Sequence, residues 1–176
     1  LFRLLLEAKC VHELSGGAFD ITVAPLMRCW GFADGKHRVP SPKELAEARE
    51  CVGMDLVHLD AENFTVQFER PGVRIDLGAI GKGFALQIAG EILREAGITS
   101  ALIHGGTSTV CAIGTPPGEG FWKVAIEHPG WEQPGADILD HERLVAVAKL
   151  HDESFSVSAG WGKAFEENGV SYGHVL

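Results

Sequence analysis

The residues best suited to chemistry lie in one short stretch, DLGAIGKG at positions 76–83. An apolar segment ends there at a carboxylate, Asp76, and a glycine-rich turn then opens into a helix that carries Lys82 near its start. The first turn of a helix leaves backbone N–H groups unpaired and bears a partial positive charge, so it attracts anions. Lysine adds a full charge, and glycine lets a ligand approach the backbone closely. The stretch therefore predicts a site for an anion such as phosphate.

Two observations limit this prediction. A glycine-rich bend between a strand and a helix also occurs for geometric reasons alone. The pattern matches neither GxxxxGK[ST] nor GxGxxG, so it supports neither a nucleoside triphosphatase nor a dinucleotide dehydrogenase. Asp76 is harder to explain by packing, because a bare carboxylate is costly to bury at the end of an apolar strand. We expect it to hold a ligand hydroxyl, an amide or a metal.

The elements around this turn follow from the hydrophobic pattern. Residues 73–77 alternate as a strand that leads into the turn, and the helix after it is predicted to end near Gly97. Two shorter alternating runs, residues 56–59 and 64–68, precede that strand. Because short turns join the three runs, we expect an antiparallel meander.

The rest of the chain mixes helices and strands. The pattern predicts a helix from Leu1 to about Leu14. The sequence SPKE at residues 41–44 combines a serine N-cap, a proline and a glutamate, and so predicts a helix that ends near Cys51. Further strands are expected at residues 100–103, 109–113, 122–126, 144–148 and 155–158 and from residue 170, a short helix at 160–167, and a loop rich in proline and glycine at 127–140. This order predicts a single α+β domain.

Composition narrows the class of protein. The chain has 176 residues, of which 45% are hydrophobic and 22% are charged, as is typical of a globular domain. The net charge of −9 argues against nucleic acid as a partner, because a phosphate backbone requires a basic face. No apolar run approaches the roughly 18 to 20 residues of a membrane span. The four cysteines form no CxxC pair, and we expect buried free thiols.

Three segments together resemble one known family. The first is SGGAFDITVAPL at residues 15–26, followed by WGF at 30–32. It is similar to the GAFDPTVGPL…WGF signature of the ApbE family, the FAD:protein FMN transferases. The second, VRIDLGAIGKGFA at 73–85, resembles that family's DLGGIAKGYA element. The third runs from SVSAG at 156–160 to SYGHVL at 171–176 and resembles the family's S(V/A)ATSG…Y(S/G)HIIDP tail.

The resemblance implies a T-fold-related domain over residues 1–176 and an enzyme that binds FAD. Such an enzyme splits the FAD pyrophosphate with Mg²⁺ and passes FMN to a threonine or serine hydroxyl of an acceptor protein, releasing AMP. Some relatives give the phosphoryl group to water instead and act as FAD pyrophosphatases. Pyrophosphate cleavage requires a divalent cation, donors at a helix start and a base for the attacking hydroxyl, and the residues above fit those requirements.

The resemblance also carries over particular residues. The family's contacts with FAD fall on five positions of this chain: Ala18, Phe19, Asp20, Asp76 and Lys82. For Phe19 a core aromatic is the alternative, and Asp20 either hydrogen-bonds a ligand or caps a turn.

Two further positions concern the metal and the catalysis. Ala79 matches the residue whose backbone carbonyl binds magnesium, where side-chain chemistry is irrelevant. His174 matches a histidine that acts in catalysis or positions the flavin, and a neutral imidazole near pH 7 suits the acceptance of a hydroxyl proton. We expect His12 and most of the other histidines to be surface or turn residues, and His104 to line the flavin site.

The chain departs from the family pattern at its ends. The resemblance places two more magnesium ligands downstream of residue 176, and an aromatic and a methionine that pack on the flavin upstream of residue 1. We therefore expect a fragment of a longer protein, with a periplasmic or cell-envelope location by family analogy and a cytoplasmic location as the alternative. A degenerate flavin-binding module without catalysis and an α+β interaction domain without a ligand are the alternative hypotheses.

Overall fold

The computed structural model describes residues 1–128, 144–158 and 164–174. The chain forms two compact units. The first contains Leu1–Gly81 with the described residues after 160, and the second contains the described residues between Lys82 and Ala159. The single domain expected over residues 1–176 stays a prediction.

Helices and antiparallel strands occur in both units. The helices are α1 Phe2–Leu14, α2 Ala24–Cys29, α3 Pro42–Arg49 and α4 Gly81–Glu95. The strands are β1 Val57–Asp60, β2 Thr65–Phe68, β3 Ala101–His104, β4 Thr109–Ile113, β5 Trp122–Glu127, β6 Leu144–Leu150, β7 Ser154–Ser156, β8 Ala164–Glu167 and β9 Val170–Gly173. The predicted α+β class is confirmed.

The start of α3 follows directly from its sequence. The Ser41 hydroxyl accepts from the N–H of Glu44 at 3.3 Å, and the Glu44 carboxylate accepts from the N–H of Ser41 at 2.8 Å. This is a complete capping box, which satisfies backbone donors that a helix start leaves unpaired. By contrast, the short helix α2 has no side-chain cap and was not predicted.

The expected strand at residues 73–77 is wrong, because this segment forms no ladder among the described residues. Its apolar side chains pack against the core of the first unit, with Val73 buried and Ile75 and Leu77 partly buried. The alternation of apolar and polar residues indicates that one face of the segment is buried. A segment can bury one face against a core without pairing with a neighbouring strand. The hairpin of the other two expected strands is confirmed, with β1 antiparallel to β2.

The expected helix at residues 160–167 is also wrong where the structure can test it. Residues 164–167 are strand β8, which pairs with β9 in an antiparallel hairpin. The turn residues Asn168 and Gly169 both have positive φ, 53° and 74°, the geometry that matches the twist of a hairpin. Residues 160–163 and most of the expected loop at 127–140 lie outside the described residues.

Each unit has its own apolar core. In the first unit α1 packs on the chain around β1, and the buried members are Leu5, Ala8, Ile21, Met54, Leu56, Val57 and Val73. In the second unit β4 is buried along its whole length and lies between β3 and β7 in an antiparallel sheet. Strands β5 and β6 pair beside it and contribute Leu150 and Trp122 to its core.

The four cysteines are free thiols, as expected, but only Cys111 is buried. Cys10 is exposed on α1, so the expectation of buried thiols is wrong there. Partial burial raises the pKa of the Cys29 thiol above its usual value, which keeps it in the less reactive neutral form. Within the described residues, no helix is both long enough and apolar enough to cross a membrane.

Candidate functional site

In the first unit, residues 18–20 lie in a loop that is fastened to the end of α1. The Ser15 hydroxyl donates to the carbonyl of His12 and accepts from the N–H of Phe19, both at 3.0 Å. The ring of Phe19 packs against the core of the unit, so the structure shows the core role that was left open for it. Ala18 is exposed in the same loop. Contact of these residues with FAD stays a prediction.

The carboxylate of Asp20 caps a turn. Its Oδ1 accepts from the N–H of Thr22 at 2.7 Å and from the Thr22 hydroxyl at 2.6 Å. That hydroxyl also accepts from the N–H of Gly53 at 2.7 Å, and Thr22 is 0% exposed. Because Oδ1 already accepts two hydrogen bonds, the side chain of Asp20 shapes the loop.

His12 was expected to be a surface or turn residue, but it lies largely buried in the last turn of α1. Its Nδ1 lies 2.8 Å from the carbonyl oxygen of Phe19 and 3.5 Å from Oδ2 of Asp20. A carbonyl oxygen only accepts, so this geometry places a proton on Nδ1. His12 therefore fixes the loop from α1, and its side chain is about three-quarters buried.

The Asp76 turn lies beside this loop. The N–H of Asp76 donates to the carbonyl of Ile21 at 2.7 Å, which joins the two matched segments within the first unit. Oδ1 of Asp76 accepts from the N–H of Gly78 at 2.7 Å. One carboxylate oxygen thus holds a backbone amide, as the sequence allowed. The other oxygen has no protein donor assigned to it among the described residues.

The described residues do not fit a complete magnesium site. Ala79 is exposed in the turn before α4, and its carbonyl is the one metal ligand that the family resemblance maps onto them. No group of three or more His, Cys, Asp or Glu within the described ranges is arranged to hold a metal ion. One carbonyl is too few ligands for Mg²⁺, which requires six oxygens in near-ideal geometry.

His174 lies at the end of the β8–β9 hairpin, also in the first unit. Its Nδ1 is buried and has no hydrogen-bond partner among the described residues. Its ring centroid lies 6.5 Å from that of Phe32 at a steep angle. A buried ring nitrogen without a partner is costly, so its position calls for a functional explanation.

Aromatic side chains surround this hairpin. Phe165 and Tyr172 face each other across it and stack with centroids 5.3 Å apart, and Trp30 lies 5.2 Å from Tyr172. His37 stacks on Phe165 at 5.3 Å. The WGF residues that resemble the family signature therefore pack against the hairpin that carries His174.

The second unit holds Lys82 in the first turn of α4. Its ammonium group donates to the hydroxyl of Ser108, which lies in the turn between β3 and β4. Ser156 on β7 is next to Ser108: its hydroxyl donates to the Ser108 carbonyl at 3.2 Å and lies 3.2 Å from the Thr109 hydroxyl. His104 is exposed at the end of β3. A row of hydroxyls thus stands beside the lysine.

Several of these residues were missed by sequence reasoning. Thr22, Ser108 and His12 gain their roles from contacts that the linear pattern does not show. Ser108 is 26 positions from Lys82, and the Thr22 hydroxyl meets an amide 31 positions away. The one local signal was the spacing of Asp20 and Thr22, since an aspartate often accepts from the backbone two residues on.

Comparison with known proteins defines the class. The profile of the ApbE family matches residues 1–176. A FAD:protein FMN transferase of Haemophilus influenzae is 32% identical over 179 residues, covering 99% of this chain and 49% of that protein. The crystal structure of the ApbE protein from Thermotoga maritima superposes with a TM-score of 0.84 at 30% identity, covering 99% of this chain and 54% of that one.

A third comparison agrees. The apo structure of the Pseudomonas stutzeri flavinyl transferase ApbE has a TM-score of 0.77 at 26% identity, covering 98% of this chain and 50% of that one. The chain therefore belongs to the ApbE family. It spans about half the length of the curated relatives that it matches.

Proposed function

We propose that this protein transfers FMN from FAD to a threonine or serine hydroxyl of an acceptor protein and releases AMP. The observation that carries the proposal is the match of the whole chain to proteins named as flavin transferases. The matched segments include every residue that the family resemblance assigns to FAD. The geometry of each unit adds support.

In the second unit, Lys82 supports the binding of a diphosphate. It is a cation in the first turn of a 15-residue helix whose N-terminal amides also favour an anion. In the first unit, the capped loop at residues 18–20 leads into Ile21, whose carbonyl accepts from the N–H of Asp76. We propose that this loop and the Asp76 turn also contact FAD, through the exposed backbone groups of residues 18–20 and the second carboxylate oxygen of Asp76.

His174 is proposed as the base. In the transfer, the acceptor hydroxyl oxygen forms a bond to the FMN phosphorus, the P–O bond to AMP breaks, and AMP leaves with the electron pair. The hydroxyl proton must go to a nearby base, and an imidazole suits this task near neutral pH. The Nδ1 of His174, which has no hydrogen-bond partner in the part of the chain that the structure describes, is a ring nitrogen of the kind that such a role requires.

Magnesium is proposed from the family resemblance, with the Ala79 carbonyl as one ligand. When bound, the cation would offset the charge of the diphosphate. The described residues supply too few other ligands, so no step is assigned to it here. A periplasmic or cell-envelope location is proposed by the same analogy, and fractionation of cells that express the complete gene tests it.

The activity is tested with protein produced from its complete gene, incubated with FAD in magnesium buffer with and without an acceptor protein. We expect AMP together with a covalent flavin on the acceptor, and a loss of turnover in His174→Ala with FAD binding retained. His58→Ala is the matched control, since His58 is an exposed histidine of β1. General-base catalysis contributes about 10²- to 10⁴-fold, which sets the expected loss.

Other outcomes correspond to the alternative functions. AMP and free FMN without a flavinylated acceptor would indicate a FAD pyrophosphatase. If FAD binds but no more AMP forms than with the His174→Ala variant, the protein is a flavin-binding module. If FAD does not bind and no AMP is released, an interaction domain is the remaining hypothesis.

A further inference from the structure

The hydroxyls of Ser108, Ser156 and Thr109 form a connected row beside Lys82. Lys82 is exposed, and a lysine side chain on a surface samples many rotamers. A hydrogen bond that holds its ammonium group in place therefore lowers the entropy that the side chain loses when it binds a ligand. Its partner, the hydroxyl of Ser108, lies in a turn that belongs to the sheet and not to α4. The question is what fixes Ser108.

Ser108 is held through its main chain on one side. Its carbonyl accepts from the N–H of Val157 at 2.8 Å and from the hydroxyl of Ser156 at 3.2 Å. The Ser156 hydroxyl also lies 3.2 Å from that of Thr109, which is only 7% exposed. Strand β7 thus fastens the turn at the position of Ser108, and a change to the Ser108 side chain leaves those bonds intact.

The same turn is also packed closely against α4. A Cβ on Gly105 would lie 3.2 Å from Cδ1 and 3.3 Å from Cγ of Leu86, closer than ordinary contact. Glycine at this position lets the turn approach the helix one turn beyond Lys82. The N–H of Gly105 donates to the carbonyl of Thr109 at 2.8 Å, which closes the turn. Packing and hydrogen bonding therefore set the distance between Ser108 and Lys82.

We propose that Ser108 is a positioning residue, and that Ser156 supports it, for the lysine that meets the FAD diphosphate. Ser108 accepts one ammonium proton and leaves two for the ligand, so the lysine is directed before FAD arrives. Pre-organised groups bind more tightly because less side-chain entropy is lost on binding. This inference rests on the proposed function, since it requires FAD to contact Lys82.

A double-mutant cycle on FAD affinity tests the role in protein from the complete gene. Ser108→Ala is expected to raise the Kd for FAD by roughly 3- to 10-fold, as for the loss of one hydrogen bond, and Ser108→Thr to restore it. In a Lys82→Ala background, Ser108→Ala should add less than about 2-fold, because the group it positions is gone. A merely structural role would give the same factor in both backgrounds.

Ser100→Ala is the matched control. Ser100 precedes β3, and its hydroxyl donates to the carbonyl of Thr115 at 2.6 Å, far along the sheet from Ser108. It should leave the Kd unchanged. Ser156→Ala should give a smaller effect than Ser108→Ala, in the same direction.

Two results separate the failures. If Lys82→Ala weakens FAD binding and Ser108→Ala does not, or if Ser108→Ala has an equal effect in both backgrounds, the positioning role is wrong and the proposed function survives. If Lys82→Ala leaves FAD affinity unchanged, the proposed contact of Lys82 with FAD is wrong, and so is the proposed positioning role of Ser108.

Discussion

The carboxylate of Asp20 shapes its own loop by accepting from both the N–H and the hydroxyl of Thr22. The Thr22 hydroxyl donates to Asp20 and accepts from Gly53, so one buried side chain joins two separate parts of the first unit. Both bonds are short, and Thr22 is 0% exposed. Losing one partner of a buried hydrogen bond leaves the other unsatisfied.

Thr22→Val is therefore expected to destabilise the fold. The valine has a similar shape but leaves the N–H of Gly53 unpaired and removes one donor from Asp20, at a cost of about 1 to 3 kcal/mol in the free energy of unfolding. Urea denaturation measures this. Thr65→Val on the exposed strand β2, where valine is favoured, should change stability little. Equal effects of the two substitutions would contradict the role given to Thr22.

At the scale of elements, α3 is the one whose start is most fully determined by its own residues. Glu44 accepts from the N–H and the hydroxyl of Ser41 and pairs with Arg38 at 2.7 Å. These partners, the Ser41 bonds above all, lower the pKa of Glu44 from 4.5 to about 2. Since the unfolded chain lacks them, the folded state gains stability from ionised Glu44.

The sign of the pH dependence follows. A carboxyl whose pKa is lower in the folded state contributes its stability above the unfolded pKa, and that contribution is lost as pH falls from about 4.5 towards 2. Glu44→Gln should therefore lower the melting temperature at pH 6. It should also make the melting temperature fall less steeply between about pH 4.5 and 2, as measured by thermal unfolding. Glu47→Gln removes a charge from the same helix without touching the capping box. An identical pH profile for both variants would contradict this account.

Local signals explain which elements were predictable. The capping box of α3 and the helical stripe of α4 lie within a few residues, and both helices were predicted near their observed ends. The segment at 73–77 was wrongly predicted to be a strand, because packing on a core also buries alternate residues. Strand β8 was taken for a helix because Phe165 depends on aromatic partners from both β9 and the WGF segment.

The candidate site divides in the same way. Asp76, Lys82 and His174 could be predicted from the sequence because their motifs are contiguous, and their roles stay predictions. Ser108 and His12 could not be predicted, because the first acts on a lysine in another element and the second reaches a carbonyl seven residues away from within a helix. A serine or a histidine without a motif gives no sign of such a partner.

At the scale of the whole molecule, the family assignment extends along the entire chain and the fold agrees with it. The net charge of −9 over these 176 residues means that together they do not attract an anionic ligand. We therefore propose that FAD binding depends on local donors, namely the start of α4 and Lys82, which oppose this repulsion.

The most direct test of this account is to compare the affinities of FAD and riboflavin, which share the flavin ring and differ by the diphosphate and AMP. For protein from the complete gene, we expect FAD to bind at least about tenfold more tightly than riboflavin, as for one charge-assisted hydrogen bond or more. Lys82→Ala should narrow that difference while leaving riboflavin affinity unchanged. Equal affinities for FAD and riboflavin would contradict the proposal that the FAD diphosphate binds Lys82 at the start of α4. A difference in affinity that Lys82→Ala does not alter would contradict it as well.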